Sequence, residues 1–317
     1  MKVIEHLARA KETLLSFEII PPKRGGDIHS LLRVVDDISK YNPPFIDITS
    51  HAAEVKYEET PQGIKRKVKR KRPGTLGICA LIQNKYNIDA VPHVLCNGFT
   101  REETEDFLID LQYLEIENVL ALRGEENSYQ KPLVNGRSAN RYAVDLVAQI
   151  NNMNKGIYLE EELIDARPSN FCIGVAAYPE KHVSAPNLEF DIKQLKKKIE
   201  AGAEYVVTQM FYDNRYYFDF LDKCRAAGID VPIIPGLKIL TAKSQLTSIP
   251  ANFHITLPSE LTDPVLEAES DEDVLEIGVD WAYKQVSELI EKKAPAIHFY
   301  IMQNSKPIRM LMKKLGF

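Results

Sequence analysis

The chain has 317 residues, is 44% apolar and carries a formal net charge of -5. That size and apolar content support a large core and exclude wholesale disorder, while the mildly acidic balance gives no electrostatic case for a nucleic-acid or anionic-membrane partner. Four scattered cysteines, Cys79, Cys96, Cys172 and Cys224, form no C-x-x-C pair, which argues against a disulfide scaffold or zinc knuckle and for reduced thiols in a soluble cytoplasmic protein.

Met1–Lys11 mixes charges with short apolar stretches and reads as neither signal peptide nor anchor. No later run is long enough to span a bilayer. The first apolar run, Leu15–Ile20, reads as a strand, and Ile28–Lys40 places Leu31, Leu32, Val35 and Ile38 on one helical face. A strand follows at Phe45–Thr49. The dense basic run Lys65–Arg72 reads as a solvated helix end and loop, with an anion- or partner-binding patch as the alternative. Ala90–Leu95 is the third strand. Arg101–Leu114 is a helix that Thr100 caps, with Glu103 placed to complete a capping box.

Asn118–Arg123 is the fourth strand, and the polar stretch Asn151–Asn170 reads as an insertion before the fifth, Phe171–Ala177. The helix Leu188–Ala201 stops at Gly202 before the strand Tyr205–Met210, and the helix Tyr216–Ala227 stops at Gly228 before Val231–Gly236. The long helix Glu272–Lys292 holds Trp281, the only tryptophan, and the last strand is Ala296–Ile301.

The strands are mostly apolar on both faces, as buried parallel strands are. Strand–helix alternation repeated about eight times implies right-handed crossovers. Closing such a sheet gives one (β/α)₈ TIM barrel over residues 1–317, with an insertion before the fifth strand. A doubly wound open sheet is the runner-up, but no G-x-G-x-x-G follows the first strand.

Barrel enzymes carry their chemistry at the C-terminal strand ends, and polar residues gather there. Glu18 lies within the first strand, where an ionisable group is costly unless paired or used. Thr49, Ser50 and His51 end the second and His93 lies in the third. Arg123, Gly124 and Glu125 end the fourth, and Tyr178, Glu180 and His182 follow the fifth. Thr208 and Gln209 lie in the sixth, and Tyr300 and Gln303 close the last. Taken singly, each has an ordinary structural explanation: an ion pair, a core histidine or a rim salt bridge.

SFEIIPPK (Ser16–Lys23), VPHVLC (Val91–Cys96), ALRGE (Ala121–Glu125), VAAYPEKH (Val175–His182), VTQMFYD (Val207–Asp213), IIPG (Ile233–Gly236) and HFY (His298–Tyr300) occur in this order. This series resembles the methylenetetrahydrofolate reductases over nearly the whole chain. The resemblance implies noncovalently bound FAD, reduced by NADH or NADPH, which then reduces 5,10-methylenetetrahydrofolate to 5-methyltetrahydrofolate for methionine synthesis. It also implies a cytoplasmic homo-oligomer with no metal.

The resemblance makes Glu18 the catalytic general acid, protonating a nitrogen of the folate's bridging ring so that the ring opens to an iminium. Burial is expected to raise its pKa for that task. Gln209, Gln245 and Tyr217 fall on substrate positions. Thr49, Ser50, Ala52, His93, Arg123 and Gly124 fall on flavin contacts. So do Tyr142, Ala143, Tyr178, His182, Ala185, Asp191 and Lys198. Arg123, His182 and Lys198 suit phosphate, and Gly124 permits close backbone approach. Glu125 replaces the family's usual Asp, keeping a catalytic carboxylate one methylene further out beside the flavin. Asn304 stands where relatives have an Arg facing the folate tail, leaving Lys306 or Arg309 as substitutes, and Ile249 stands for a Phe over the substrate. No C-terminal regulatory domain is expected after Phe317. Two other classes remain: a flavin-free aldolase or isomerase using Glu18 and His93, and a non-catalytic folate- or flavin-binding subunit.

Overall fold

A computed structural model describes residues 1–124, 131–133 and 136–317. The chain opens with α1 (Val3–Arg9), β1 (Leu14–Ile19), α2 (Ile28–Ser39) and β2 (Phe45–Ile48). A hairpin follows, β3 (Glu54–Thr60) and β4 (Gly63–Lys69), then α3 (Leu76–Tyr86), β5 (Asp89–Leu95) and α4 (Arg101–Tyr113). The middle of the chain supplies β6 (Asn118–Leu122), α5 (Ala143–Met153), β7 (Cys172–Ala177), α6 (Leu188–Glu200), β8 (Tyr205–Met210) and α7 (Asn214–Ala226). The last part holds β9 (Ile233–Leu237), α8 (Gln245–Phe253), α9 (Ser259–Glu267), α10 (Asp271–Glu291), β10 (Ala296–Met302) and α11 (Lys306–Leu315).

Eight strands close into a parallel barrel in the order β1-β10-β9-β8-β7-β6-β5-β2. Because β1 pairs with both β10 and β2, neither is an edge, which excludes the open doubly wound sheet. Each predicted strand matches a barrel strand to within two residues at either end. The predicted capping box is present: Thr100 Oγ1 accepts from the Glu103 N–H at 3.2 Å, and Glu103 Oε2 accepts from the Thr100 N–H at 3.0 Å.

Alternation along the strands sorts the side chains into two cores. Phe17 and Ile19 point outward into the layer beneath the helices, where Leu31, Val35, Ile38 and Leu311 meet them. Phe45, Val91, Leu120, Cys172, Tyr205 and Ile234 point inward and pack with Val3 of α1. Helix α1 therefore closes the N-terminal end of the barrel. It is tied there by Asn118 Oδ1, which accepts from the Val3 N–H at 2.8 Å, and by His6 against Asp89 at 2.6 Å. Gly174 lets Tyr205 fill this end, since a Cβ at that position would meet the Tyr205 ring at 2.3 Å.

Two expectations change. The basic run is not a helix end and loop: Lys65–Lys69 lie in β4, paired antiparallel with β3. Lys67 pairs with Glu58 and Lys71 with Glu54 on this exposed ribbon. The polar insertion is shorter than 151–170, because α5 runs to Met153 before the chain leaves helix. All four cysteines are buried and unpaired. Burial pushes the thiols of Cys96, Cys172 and Cys224 up to about 12 and that of Cys79 higher still. Among the described residues, no helix is long and apolar enough to cross a membrane.

Candidate active site

Above the apolar lower interior, the same strands turn polar. Parallel pairing sets Glu18 of β1 level with Asp47 of β2 and with Tyr300 of β10, and Ser16 level with His298. His93 enters from β5. All of these residues except Tyr300 are at most 8% exposed.

The charged members alternate. His93 Nε2 lies 3.4 Å from Glu18 Oε2 and 3.7 Å from Asp47 Oδ2. His298 Nε2 lies 3.9 Å from Glu18 Oε2, and His298 Nδ1 lies 3.9 Å from Asp47 Oδ1. Two carboxylates and two imidazoles thus form a ring across four neighbouring strands. These are ion-pair rather than hydrogen-bond contacts, and neither Asp47 oxygen has a hydrogen-bond partner among the described residues. His298 is braced by Ser16 Oγ at 2.9 Å from its Nδ1. Tyr300 packs edge-on against His298 and donates its hydroxyl to the Thr208 carbonyl at 2.6 Å. Gly236 permits this arrangement, because a Cβ there would meet the Thr208 carbonyl oxygen at 2.2 Å.

The electrostatics correct one expectation. Burial raises the Glu18 carboxyl, but the His298 imidazole and the charges of His93, His298 and Lys238 outweigh it, leaving Glu18 below the ordinary glutamate range. Burial lowers His93, but Asp47 and the Glu18 charge outweigh it, and His93 sits above the ordinary histidine range. The two shifts run in the same sense: across a gap of 3.4 Å, Glu18 is pushed toward its carboxylate and His93 toward its imidazolium.

Two cavities open at this end of the barrel. One, of about 620 Å³ including its mouth, is lined by Ser50, His51, His93 and Phe99, with Arg70 and Arg72 from the end of the basic run. Arg72 donates to the Pro21 carbonyl, and Arg70 lies over the Phe99 ring at 5.4 Å. The other, of about 650 Å³, is lined by Lys238, Gln245, Tyr300 and Asn304.

Of the flavin candidates, Ser50 and His93 line the first cavity, and the others lie in the segments that follow β2, β6 and β7 and in helices α5 and α6. Thr49 Oγ1 and His51 Nδ1 are buried without hydrogen-bond partners among the described residues. Gly124 adopts φ +87°, a conformation that favours glycine. The Arg123 guanidinium lies 5.2 Å from the Tyr142 ring, and Tyr142 directly precedes Ala143 at the start of α5. Tyr178 and His182 pack edge to face at 4.6 Å. Asp191 accepts from the His182 N–H at 2.8 Å, and the loop carrying Ala185 turns back so that its N–H donates to the His182 carbonyl. Lys198 donates to the Ala176 carbonyl at 2.6 Å, and burial pulls its pKa down to about 8. Cationic, aromatic and unpartnered polar groups on adjacent strand ends fit a phosphate-bearing flavin. Glu125 lies outside the described residues.

On the opposite side, Gln209 Oε1 accepts from the Met210 N–H at 2.9 Å. Gln245 Oε1 accepts from the N–H groups of Thr241 and Ala242 while the residue lines the second cavity. Tyr217 departs from its expected place. It is buried in the layer under α7, stacked on Phe211, with its hydroxyl on the Ile233 carbonyl at 2.8 Å. Its aromatic surface is thus used in packing. Ile249 is likewise packed, in a cluster with Tyr212 and Leu240. Lys306 binds both oxygens of Glu272, and Arg309 faces Asp37 at 3.6 Å, so neither lines the Asn304 cavity. Lys238 does, and burial lowers its pKa against the raising effect of Glu18.

Sequence reasoning assigned no role to Asp47, His298 or Lys238. Asp47 had a usable signal, an ionisable residue two positions before Thr49 in an apolar strand and hence on the same face.

The sequence is 31% identical over 303 residues to methylenetetrahydrofolate reductase 1 of Schizosaccharomyces pombe, covering 95% of this chain and 45% of that protein. It is 27% identical to the 5,10-methylenetetrahydrofolate reductase of Pectobacterium carotovorum subsp. carotovorum, covering 95% of this chain and 90% of the other. The chain thus spans about half the length of the eukaryotic relatives it matches. A Clostridium thermocellum protein described as binding two copies of 5-methyl-5,6,7,8-tetrahydrofolic acid shares the fold, with a TM-score of 0.60, 14% identity, and coverage of 99% of this chain and 98% of that one. The methylenetetrahydrofolate reductase family profile matches residues 3–316, and the chain belongs to that family.

Proposed function

We propose that this chain binds FAD and uses NADH or NADPH to reduce 5,10-methylenetetrahydrofolate to 5-methyltetrahydrofolate, a methyl donor for methionine synthesis. Bound FAD supplies the hydride-carrying chemistry. Arg123, His182 and Lys198 hold its phosphates, Asp191 serves a ribose hydroxyl or the loop around His182, and Thr49 and His51 bring unspent polar atoms to the ring. Glu125 supplies a carboxylate beside the flavin. Gln209 and Gln245 orient the folate from the side of the second cavity, and Lys238 meets its anionic tail where Asn304 carries no charge. Glu18 delivers the proton that opens the folate's bridging ring. A cytoplasmic homo-oligomer of single-domain barrels is the form inferred for the enzyme.

The observation that carries this reading is the Glu18 carboxyl, held in a polar barrel mouth with an imidazole 3.4 Å away as a proton source. The test is the visible spectrum of the purified protein. Yellow protein bleached by NADH and restored by methylenetetrahydrofolate without air supports the reading. Colourless protein that cannot be reconstituted with FAD, or bleached flavin that methylenetetrahydrofolate leaves bleached, overturns it.

A further inference from the structure

We propose that Asp47, His93 and His298 form a proton store beneath Glu18, in which Asp47 is the positioning residue that keeps His93 loaded for reprotonating Glu18 after each turnover. The inference rests on the proposed folate chemistry and adds to it residues that act through Glu18.

Three observations carry it. Asp47 is fully buried, and neither of its oxygens is hydrogen-bonded among the described residues. Such a group is costly to keep, and the charges it faces are the two imidazoles that also face Glu18. The Nε2 of His93 stands between the two carboxylates, so a proton there is placed to move to Glu18. Glu18 lines neither of the two cavities described above, whereas His93 lines the first, which puts His93 between that opening and the Glu18 carboxyl.

The proton count closes. The folate nitrogen takes the Glu18 proton as its ring C–N bond breaks. The Glu18 carboxylate then takes the Nε2 proton of His93, and neutral His93 regains one from water at the mouth. One proton is consumed per turnover, and these residues move no electrons. Other groups facing the ring set its charge balance. His51, which lines the first cavity together with His93, is kept low by burial and by the charges of Arg72 and His93. Lys238 adds a cation on the Glu18 side. Tyr205, Tyr300 and Cys79 feel the Asp47 charge, but burial holds them neutral.

The test compares the FAD-loaded wild type with Asp47→Asn and His298→Asn, with folate turnover expressed per flavin bleached by NADH so that only folded sites count. In Asp47→Asn the His93 imidazole loses an anion. Its titration, followed by NMR of the ring, moves to lower pH, and the basic limb of folate turnover moves with it by about one unit, a tenfold loss on that limb. In His298→Asn, Glu18 loses a cation and holds its proton more tightly, so the basic limb moves the opposite way. Opposite shifts support the store. An unmoved His93 titration in Asp47→Asn overturns it whether or not folate is the substrate, and a uniform loss across pH in both variants overturns it as well. If the wild type bleaches but fails to reduce methylenetetrahydrofolate, the functional reading fails while the NMR comparison still judges the ring.

Discussion

The lower and upper halves of the barrel interior are built from the same strands and do opposite work. Below, Phe45, Val91, Tyr205 and Ile234 fill the space and α1 closes it. Above, one or two pleats further along, Glu18, Asp47, His93 and His298 occupy the corresponding inward positions. The contrast separates what makes the fold stable from what the site spends. The apolar layer gains free energy from every buried side chain. The charged ring gives some of it back in desolvation.

Substitutions on the two sides of this boundary give different signatures. Glu18→Gln is expected to lower folate reduction by about 10²–10⁴-fold relative to flavin bleaching, the usual contribution of a positioned acid. Stopped-flow measurement of both half-reactions checks it, and equal losses in both would place Glu18 outside the acid role. Phe45→Ala, in the lower layer, is expected to cost about 3–5 kcal/mol of stability while leaving turnover per folded site intact. Chemical denaturation paired with an activity assay on the folded fraction reads that directly. The smallest effect concerns Lys198, at the flavin side of the upper region. Its pKa of about 8 in the free protein means that the ammonium is lost as pH rises through that value. FAD affinity, measured by fluorescence quenching, is expected to weaken severalfold across that range, and a flat affinity profile would remove Lys198 from phosphate binding.

The sequence was most informative where local pattern and tertiary role agree. The eight strands were legible because they are apolar on both faces, and Glu18 because it interrupts one of them. Asp47 interrupts the next strand in the same way. The sequence reading stopped at the polar strand end, Thr49 and Ser50, and only the barrel's closure shows that Asp47 meets His93 and His298. The pKa direction of Glu18 was misread for a related reason. Burial is visible in a sequence, whereas two imidazoles and an ammonium brought from β5, β10 and the end of β9 are not. Hairpin β3–β4 was hidden because Glu59 and Arg66 interrupt the face that carries Val55, Tyr57, Ile64 and Val68. The ribbon turns at Pro61 and Gln62, and Gly63, the first residue of β4, takes φ +116°, a conformation that favours glycine.

The burial of the cysteines has a practical consequence. With every native sulfhydryl sealed away and held protonated at working pH, maleimide dyes find no competing target. One cysteine introduced on the exposed ribbon, as in Tyr57→Cys, would therefore carry a fluorophore at a single known point. Movement of that ribbon during turnover could then be followed by fluorescence without first stripping the chain of its own sulfur.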